Sequence, residues 1–133
     1  MRFDASTSLK SSQLSAWVAH LDTGAGAGAV LEIYSGTAPV PGATPTGSVL
    51  LVSITLPKPV GTVLDGVLTL AVSALSLNVA SGGADWARWY TAAGVWAGDS
   101  DVSNDAGDGF VRLAETTLFL GGKAQVIGGT IVV

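Results

Sequence analysis

From Val30 to the C-terminus the chain is a succession of short apolar, β-prone runs separated by turn residues. Gly, Pro, Asn and Asp recur between these runs at intervals of roughly 8–12 residues, which is typical of antiparallel β-proteins. We therefore predict a mainly β fold, an antiparallel β-sandwich or jelly roll of about eight short strands with one N-terminal amphipathic helix.

Three local patterns support this prediction. Between Val49 and Leu56 apolar residues occupy every second position, the period of a strand with one buried face. Asp65-Gly66 lies between two apolar runs and predicts a tight hairpin. Beyond it the alternation changes phase near Ala74, which predicts a bulge or a bend where the chain passes between sheets. The apolar positions are Leu68, Leu70 and Val72 before the change, and Leu75, Leu77 and Val79 after it.

The first 28 residues differ from the rest. Apolar residues at helical spacing predict a short amphipathic helix that begins near Ser11 or Ser12 and ends at Gly24. The polar residues before the helix predict an arm that orders only against a partner, and the GAGAGA run after it predicts a flexible joint. We thus divide the chain into 1–28, the arm, helix and Gly/Ala joint, and 29–133, the β-sandwich domain. The apolar stripe of the helix is Leu14, Trp17, Val18 and Leu21.

Charged residues make up only 12% of the 133 residues, and hydrophobic residues make up 48%. Because an average globular protein has about 25% charged residues, we expect part of the surface to lie against another subunit. The net charge of −4 and the scattered basic residues argue against a nucleic-acid partner. No apolar run is long enough to suggest a membrane partner, and we expect no cofactor.

A histidine and an acidic segment are the two candidates for sites of chemistry. The single histidine, His20, falls in the predicted helix without a recognisable nucleophile motif, so we predict no catalytic residue and no enzyme. The acidic segment DSDVSNDAGDG offers oxygen ligands of the kind that bind Ca²⁺, but it lacks the spacing of an EF-hand. Because Asp, Asn and Gly are also the residues of turns, we favour a solvated turn and predict no metal site. The weak metal candidates are Asp99, Asp101, Asp105 and Asp108.

Aromatic residues are concentrated in a second predicted hairpin, over 84–97. Trp86, Arg88 and Tyr90 share one face of its first strand, and Trp89 lies on the other. Exposed Trp and Tyr side chains stack on sugars or anchor protein interfaces. We favour an interface between subunits, formed by Trp17, Trp86, Arg88, Tyr90 and Trp96, over a sugar platform.

The run LEIYSGTAPVPGATPTGSVLLVSITLP resembles a segment of small structural proteins of tailed bacteriophages. In those proteins a short helix leads into an L-x-I-Y-x-G strand, which matches Leu31, Ile33, Tyr34 and Gly36 here. The 84–103 hairpin and the closing LFLGGKAQVIGGTIVV are also similar. The resemblance implies a virion component that is made in the host cytoplasm, such as a head decoration or cement protein, or a head–tail or tail accessory.

These observations lead to one preferred hypothesis and one alternative. We predict a non-enzymatic bacteriophage structural subunit that forms homo-oligomers and binds other virion proteins, such as the major capsid, portal or tail proteins. Many copies of one modest interface would then give lasting attachment. The alternative is a carbohydrate-binding module that uses Trp86, Tyr90 and Trp96, with calcium held near Asp99 to Asp108.

Overall fold

The alternating segments after residue 29 form strands in the computed structural model, which describes residues 2–133. One helix, α1, spans Thr7–Asp22. The strands are β1 (Val30–Gly36), β2 (Ser48–Thr55), β3 (Gly61–Leu64), β4 (Val67–Leu70), β5 (Ser76–Leu77), β6 (Gly82–Gly83), β7 (Trp86–Tyr90), β8 (Trp96–Asn104), β9 (Val111–Leu113), β10 (Thr117–Leu118), β11 (Lys123–Ala124), β12 (Val126–Gly128) and β13 (Thr130–Val132).

The main sheet has six strands in the order β12-β9-β8-β7-β1-β2, and a second sheet has three in the order β13-β4-β3. Two short pairs, β10-β6 and β11-β5, complete the fold. Buried side chains from both larger sheets and from α1 belong to one core cluster. The mainly β, sandwich-like fold with one N-terminal helix is therefore confirmed. The strands outnumber the predicted eight because bends divide long runs such as 123–133 into short pieces.

One strand pair departs from the antiparallel prediction. β8 and β9 are parallel, with Val102 opposite Val111, although few residues separate them. The chain can double back because Gly107 and Gly109 pass close to Ser103, where any Cβ would collide with that residue. The Ser103 hydroxyl accepts a hydrogen bond from the Gly109 N–H at 2.9 Å. Two side-chain-free positions thus replace the long crossover that parallel strands usually need.

The helix carries the predicted apolar stripe. Leu14 and Leu21 are 1% exposed, and Trp17 and Val18 pack against the core. The helix begins earlier than expected, because the Ser6 hydroxyl accepts a hydrogen bond from the Leu9 N–H at 3.1 Å and so caps the first turn. The expected arm is therefore shorter, because the helix already begins at Thr7.

The Gly/Ala segment after the helix is packed, so the prediction of a flexible joint that separates the helix from the rest is wrong. The Gly26 N–H donates to the Ala92 carbonyl at 3.3 Å. A Cβ at Gly24 or Gly26 would overlap the 92–93 backbone, and a Cβ at Gly28 would overlap the Leu56 carbonyl oxygen. The glycines are required by close backbone approach, and the helix shares its core with the sheets.

Both turn features after residue 60 are confirmed. Asp65 and Gly66 have positive φ angles of 51° and 77°, as a two-residue hairpin turn requires, and they join β3 to β4. The phase change near Ala74 is a bend between sheets: β4 belongs to the three-stranded sheet, whereas β5 pairs with β11. This bend turns the residues that follow it onto a different face.

We expect Gly28→Ala to destabilise the protein by about 1–3 kcal/mol, because the added methyl group has no room in a packed site. Gly47→Ala is the matched control, since a Cβ at Gly47 meets nothing within 4 Å. Thermal and urea unfolding of both variants measure the difference. Equal stability of the two variants would show that the segment is not held in place.

Candidate interaction surfaces

A buried ion pair organises one face of the β7–β8 hairpin. Arg88 lies opposite Asp99 in the strand register. Its Nε and Nη2 atoms donate to the two Asp99 carboxylate oxygens at 2.8 and 3.0 Å. Arg88 is only 4% exposed, so its charge depends on this partner.

Further hydrogen bonds to the Asp99 carboxylate fix a distant loop. The Asp99 carboxylate also accepts from the Trp96 indole N–H and from the Gly42 N–H, both at 3.1 Å. Burial alone would raise the pKa of Asp99, but the hydrogen bonds from Arg88, Trp96 and Gly42, together with the Arg88 charge, outweigh it and lower the pKa. The loop that joins β1 to β2 is thereby tied over the hairpin.

The strands on either side of that loop contact the aromatic residues of this face. Trp86 stacks on Tyr34 with ring centroids 4.5 Å apart, and its indole N–H donates to the Ser48 hydroxyl at 3.0 Å. The Arg88 guanidinium carbon lies 5.2 Å from the centroid of the Trp86 ring. Burial and a hydrogen bond to Glu32 raise the pKa of Tyr34 to about 12. These contacts bury the aromatic residues of this face within the subunit, beside polar groups.

Two residues at the centre of the predicted interface are covered within the subunit itself. Trp86 is 3% exposed and Arg88 is 4% exposed, while Tyr90 and Trp17 are half-buried. Of the five, Trp96 alone is exposed, at 42%, and its ring lies over Gly42. The sequence did contain a signal: Arg88 and Asp99 are opposite charges on either side of the turn in the predicted hairpin.

The other face of the hairpin contacts the helix. Trp89 makes edge-to-face contacts with Trp17 and Phe110, with centroids 5.5 and 5.7 Å apart. Its indole N–H donates to the Ser100 hydroxyl at 2.8 Å. A cavity of about 270 Å³ adjoins these rings, and Gly98 leaves space at its wall.

The acidic segment is divided between β8 and the turn that follows it. Asp99 belongs to the ion pair, and Asp101 accepts a hydrogen bond from the Phe110 N–H at 2.8 Å. The Asn104 side chain accepts from the N–H groups of Ala106 and Gly107, both at 3.1 Å, which is an Asx-type turn. Asp105 and Asp108 are exposed. Within residues 2–133, the structure brings no three His, Cys, Asp or Glu residues together as metal ligands.

The structure also has an exposed apolar surface in a region where the sequence pattern predicted no site. β5 and the residues around it pair with the 117–124 segment, and the Asn78 side chain turns inward to donate to the Phe119 carbonyl at 3.1 Å. Three alternate residues around β5 therefore point outward, and two consecutive residues of the 117–124 segment are also exposed; each of the five is 57–68% exposed. We call this surface the apolar ribbon; it consists of Leu75, Leu77, Val79, Phe119 and Leu120.

The comparisons with known proteins add no relative. No family model, no curated protein and no solved structure matches the chain. No helix in the described part of the chain is long and apolar enough to cross a membrane. His20, the single histidine of the chain, is exposed on α1.

We expect Asp99→Asn to destabilise the protein by about 3–5 kcal/mol at pH 7, because it leaves the buried Arg88 charge without its partner. Asp105→Asn, at an exposed turn position, is the matched control and should have little effect. Unfolding in urea measures both variants. A loss for Asp99→Asn no larger than that of the control would contradict the role of the pair.

The same pair gives the wild type a distinct acid response. Because the pKa of Asp99 is lowered in the folded state, its contribution is complete above the unfolded value of about 3.9. That contribution disappears as the pH falls through the folded pKa. Asp99→Asn should lack this component, so its stability relative to the wild type should improve below about pH 4. Parallel melting curves between pH 2 and 7 measure the difference.

We also expect calcium to leave the folded state unchanged. A bound ion would stabilise the protein by about 2.7 kcal/mol at a hundredfold excess over Kd. Thermal melts in calcium and in a chelator should therefore overlay. A rise of several degrees in calcium would show that Asp101, Asp105 or Asp108 contributes to a metal site.

Proposed function

We propose that the protein is a non-enzymatic structural subunit of a bacteriophage particle, and that it self-associates through the apolar ribbon. The observation that supports this proposal best is the row of Leu75, Leu77 and Val79 on the outer face of one short segment. The resemblance to phage structural proteins supports the assignment to a phage particle, and the exposed row of apolar residues is the proposed interface.

The two segments that form the ribbon contain no charged residue themselves, although Lys123 lies opposite Leu77 where β11 pairs with β5. No charged residue occurs between Asp65 and Asp85, and none occurs between Glu115 and Lys123. Natural β-proteins usually place charge on such edges to prevent association. Several exposed apolar residues on neighbouring segments are typical of a site that another protein covers.

The size of the ribbon favours assembly in many copies. Full burial of a Leu or Phe side chain contributes about 1.5–3 kcal/mol. Burying the remaining exposed part of five such residues thus gives a gross gain on the order of 5–9 kcal/mol. Because association itself costs about 4–15 kcal/mol, one contact is modest, and many subunits on a lattice would make attachment lasting.

The carbohydrate-binding alternative is less well supported by the geometry. Its platform needs Trp86, Tyr90 and Trp96 to present their faces together. Trp86 instead stacks on Tyr34 and is 3% exposed, and the Trp96 indole is engaged with Asp99. An apolar assembly surface accounts for more of the exposed hydrophobic area.

We expect Leu75→Asp to weaken self-association strongly, because a charge without a partner at an apolar interface costs several kcal/mol (about 2–5). Leu64→Asp is the matched control: Leu64 is 73% exposed on the β3–β4 hairpin, outside the ribbon. Multi-angle light scattering measures the mass of each variant, and thermal melts check that each is folded.

The two halves of the proposal have separate tests. A wild type that remains monomeric at high concentration would contradict assembly through the ribbon. Mass spectrometry of purified phage particles tests the virion role, and absence of the protein from them would contradict that role.

A further inference from the structure

A groove with a mainly apolar lining adjoins the apolar ribbon. It has a volume of about 390 Å³, and its lining includes Asn78, Phe119 and Gly122. A side chain at Gly122 would press on the Phe119 carbonyl and the Asn78 amide. The absence of a side chain there keeps the groove open.

Asn78 gives the groove an unsatisfied acceptor. The residue is 3% exposed, and its side-chain NH₂ donates to the Phe119 carbonyl at 3.1 Å. That bond fixes the orientation of the amide, and its oxygen, Oδ1, has no hydrogen-bond partner within residues 2–133. Buried acceptors of this kind are normally paired. A ligand that carries an N–H group would satisfy it.

Two opposite charges also line the groove. Glu115 and Lys123 are both exposed and line it together with Phe119. Neither takes part in either of the two ion pairs found in the described part of the chain. The groove thus offers an apolar ring, one acceptor, one negative charge and one positive charge.

The N-terminal arm has the complementary chemistry. Phe3 precedes the helix and is 78% exposed, so its ring occupies no groove in its own subunit. Arg2 and Asp4, on either side of it, have side chains that are 85% and 76% exposed. Their mutual ion pair at 3.1 Å lies in water, where such pairs contribute little and exchange readily.

We infer that the arm of one copy docks in the groove of a second copy. Phe3 packs on Phe119, and a backbone N–H of the arm donates to the Asn78 Oδ1 atom. At the rim of the groove, Arg2 faces Glu115 and Asp4 faces Lys123. This inference rests on the proposed self-association and names the segment that enters the interface.

The contact is compatible with two types of assembly. The arm and the groove are different surfaces, so two copies can exchange arms reciprocally in a two-fold dimer, or each subunit can give its arm to one neighbour and receive the arm of another. Contacts of this head-to-tail kind form rings when the rotation closes and open arrays when it does not. Either product suits a repeated subunit of a particle.

The experiment exchanges charges without changing the net charge. The arm reversal is Arg2→Glu with Asp4→Lys, and the groove reversal is Glu115→Lys with Lys123→Glu. Each reversal alone should weaken self-association by roughly three- to tenfold, since like charges then meet at the rim. The protein with all four changes should recover wild-type association, measured by sedimentation velocity over a concentration series.

A second pair of variants tests the apolar part of the contact. Phe3→Ser should weaken association by about ten- to hundredfold, because it removes one large buried side chain from the interface. Val40→Ser is the matched control, since Val40 is 77% exposed and lies in the β1–β2 loop. It should associate as the wild type does.

The outcomes separate this inference from the proposed function. Association that all arm and groove variants leave unchanged, while Leu75→Asp abolishes it, overturns the docking of the arm and keeps the ribbon. A monomeric wild type overturns both. Loss of association in both reversals with no recovery in the fourfold variant also counts against the pairing of arm and groove.

Discussion

The ion pair between Arg88 and Asp99 determines which surfaces of this protein are covered. An arginine that is 4% exposed needs a partner. Asp99 accepts two hydrogen bonds from Arg88 and one each from Trp96 and Gly42. One carboxylate thus joins two strands, a distant loop and an indole. On the face of the hairpin beneath that loop, Trp86 and Arg88 are almost fully covered.

The closure of this face explains where the free apolar surface lies. Trp86 and Trp89 point to opposite sides of β7, yet each is only 3% exposed. Trp89 lies in the core beside the helix, and Trp86 lies under the β1–β2 region. The aromatic residues therefore stabilise the subunit, and the exposed apolar residues lie instead on the ribbon around β5 and β11.

The acidic segment has a structural role of the same kind. Asp101 and Asn104 satisfy backbone N–H groups at the place where the chain doubles back from β8 to β9. Gly107 and Gly109 allow the close approach. Together these residues create the one parallel pair among the described strands, and with it the edge of the main sheet that β12 occupies.

The sequence alone determined the local elements. Period-two alternation and turn residues predict strands and the Asp65-Gly66 hairpin, because side-chain direction and positive φ angles are local properties. The stripe that contains Leu14 and Leu21 predicts the helix for the same reason. The bend near Ala74 was also readable, since a change of parity is visible in the order of apolar residues.

Only the tertiary structure decided which faces are covered. Alternation shows that Trp86 and Trp89 lie on opposite sides, but elements remote in the chain decide that both are buried: the helix packs on Trp89, and the β1–β2 region packs on Trp86. The alternation of apolar residues also shows that Leu75, Leu77 and Val79 share a face, but only the pairing of β5 with β11 turns that face outward. The GAGAGA run reads as flexible because glycine is locally free, yet backbone from 92–93 and the carbonyl of Leu56 leave room for nothing larger. Burial depends on segments far apart in the chain, and no local pattern contains that information.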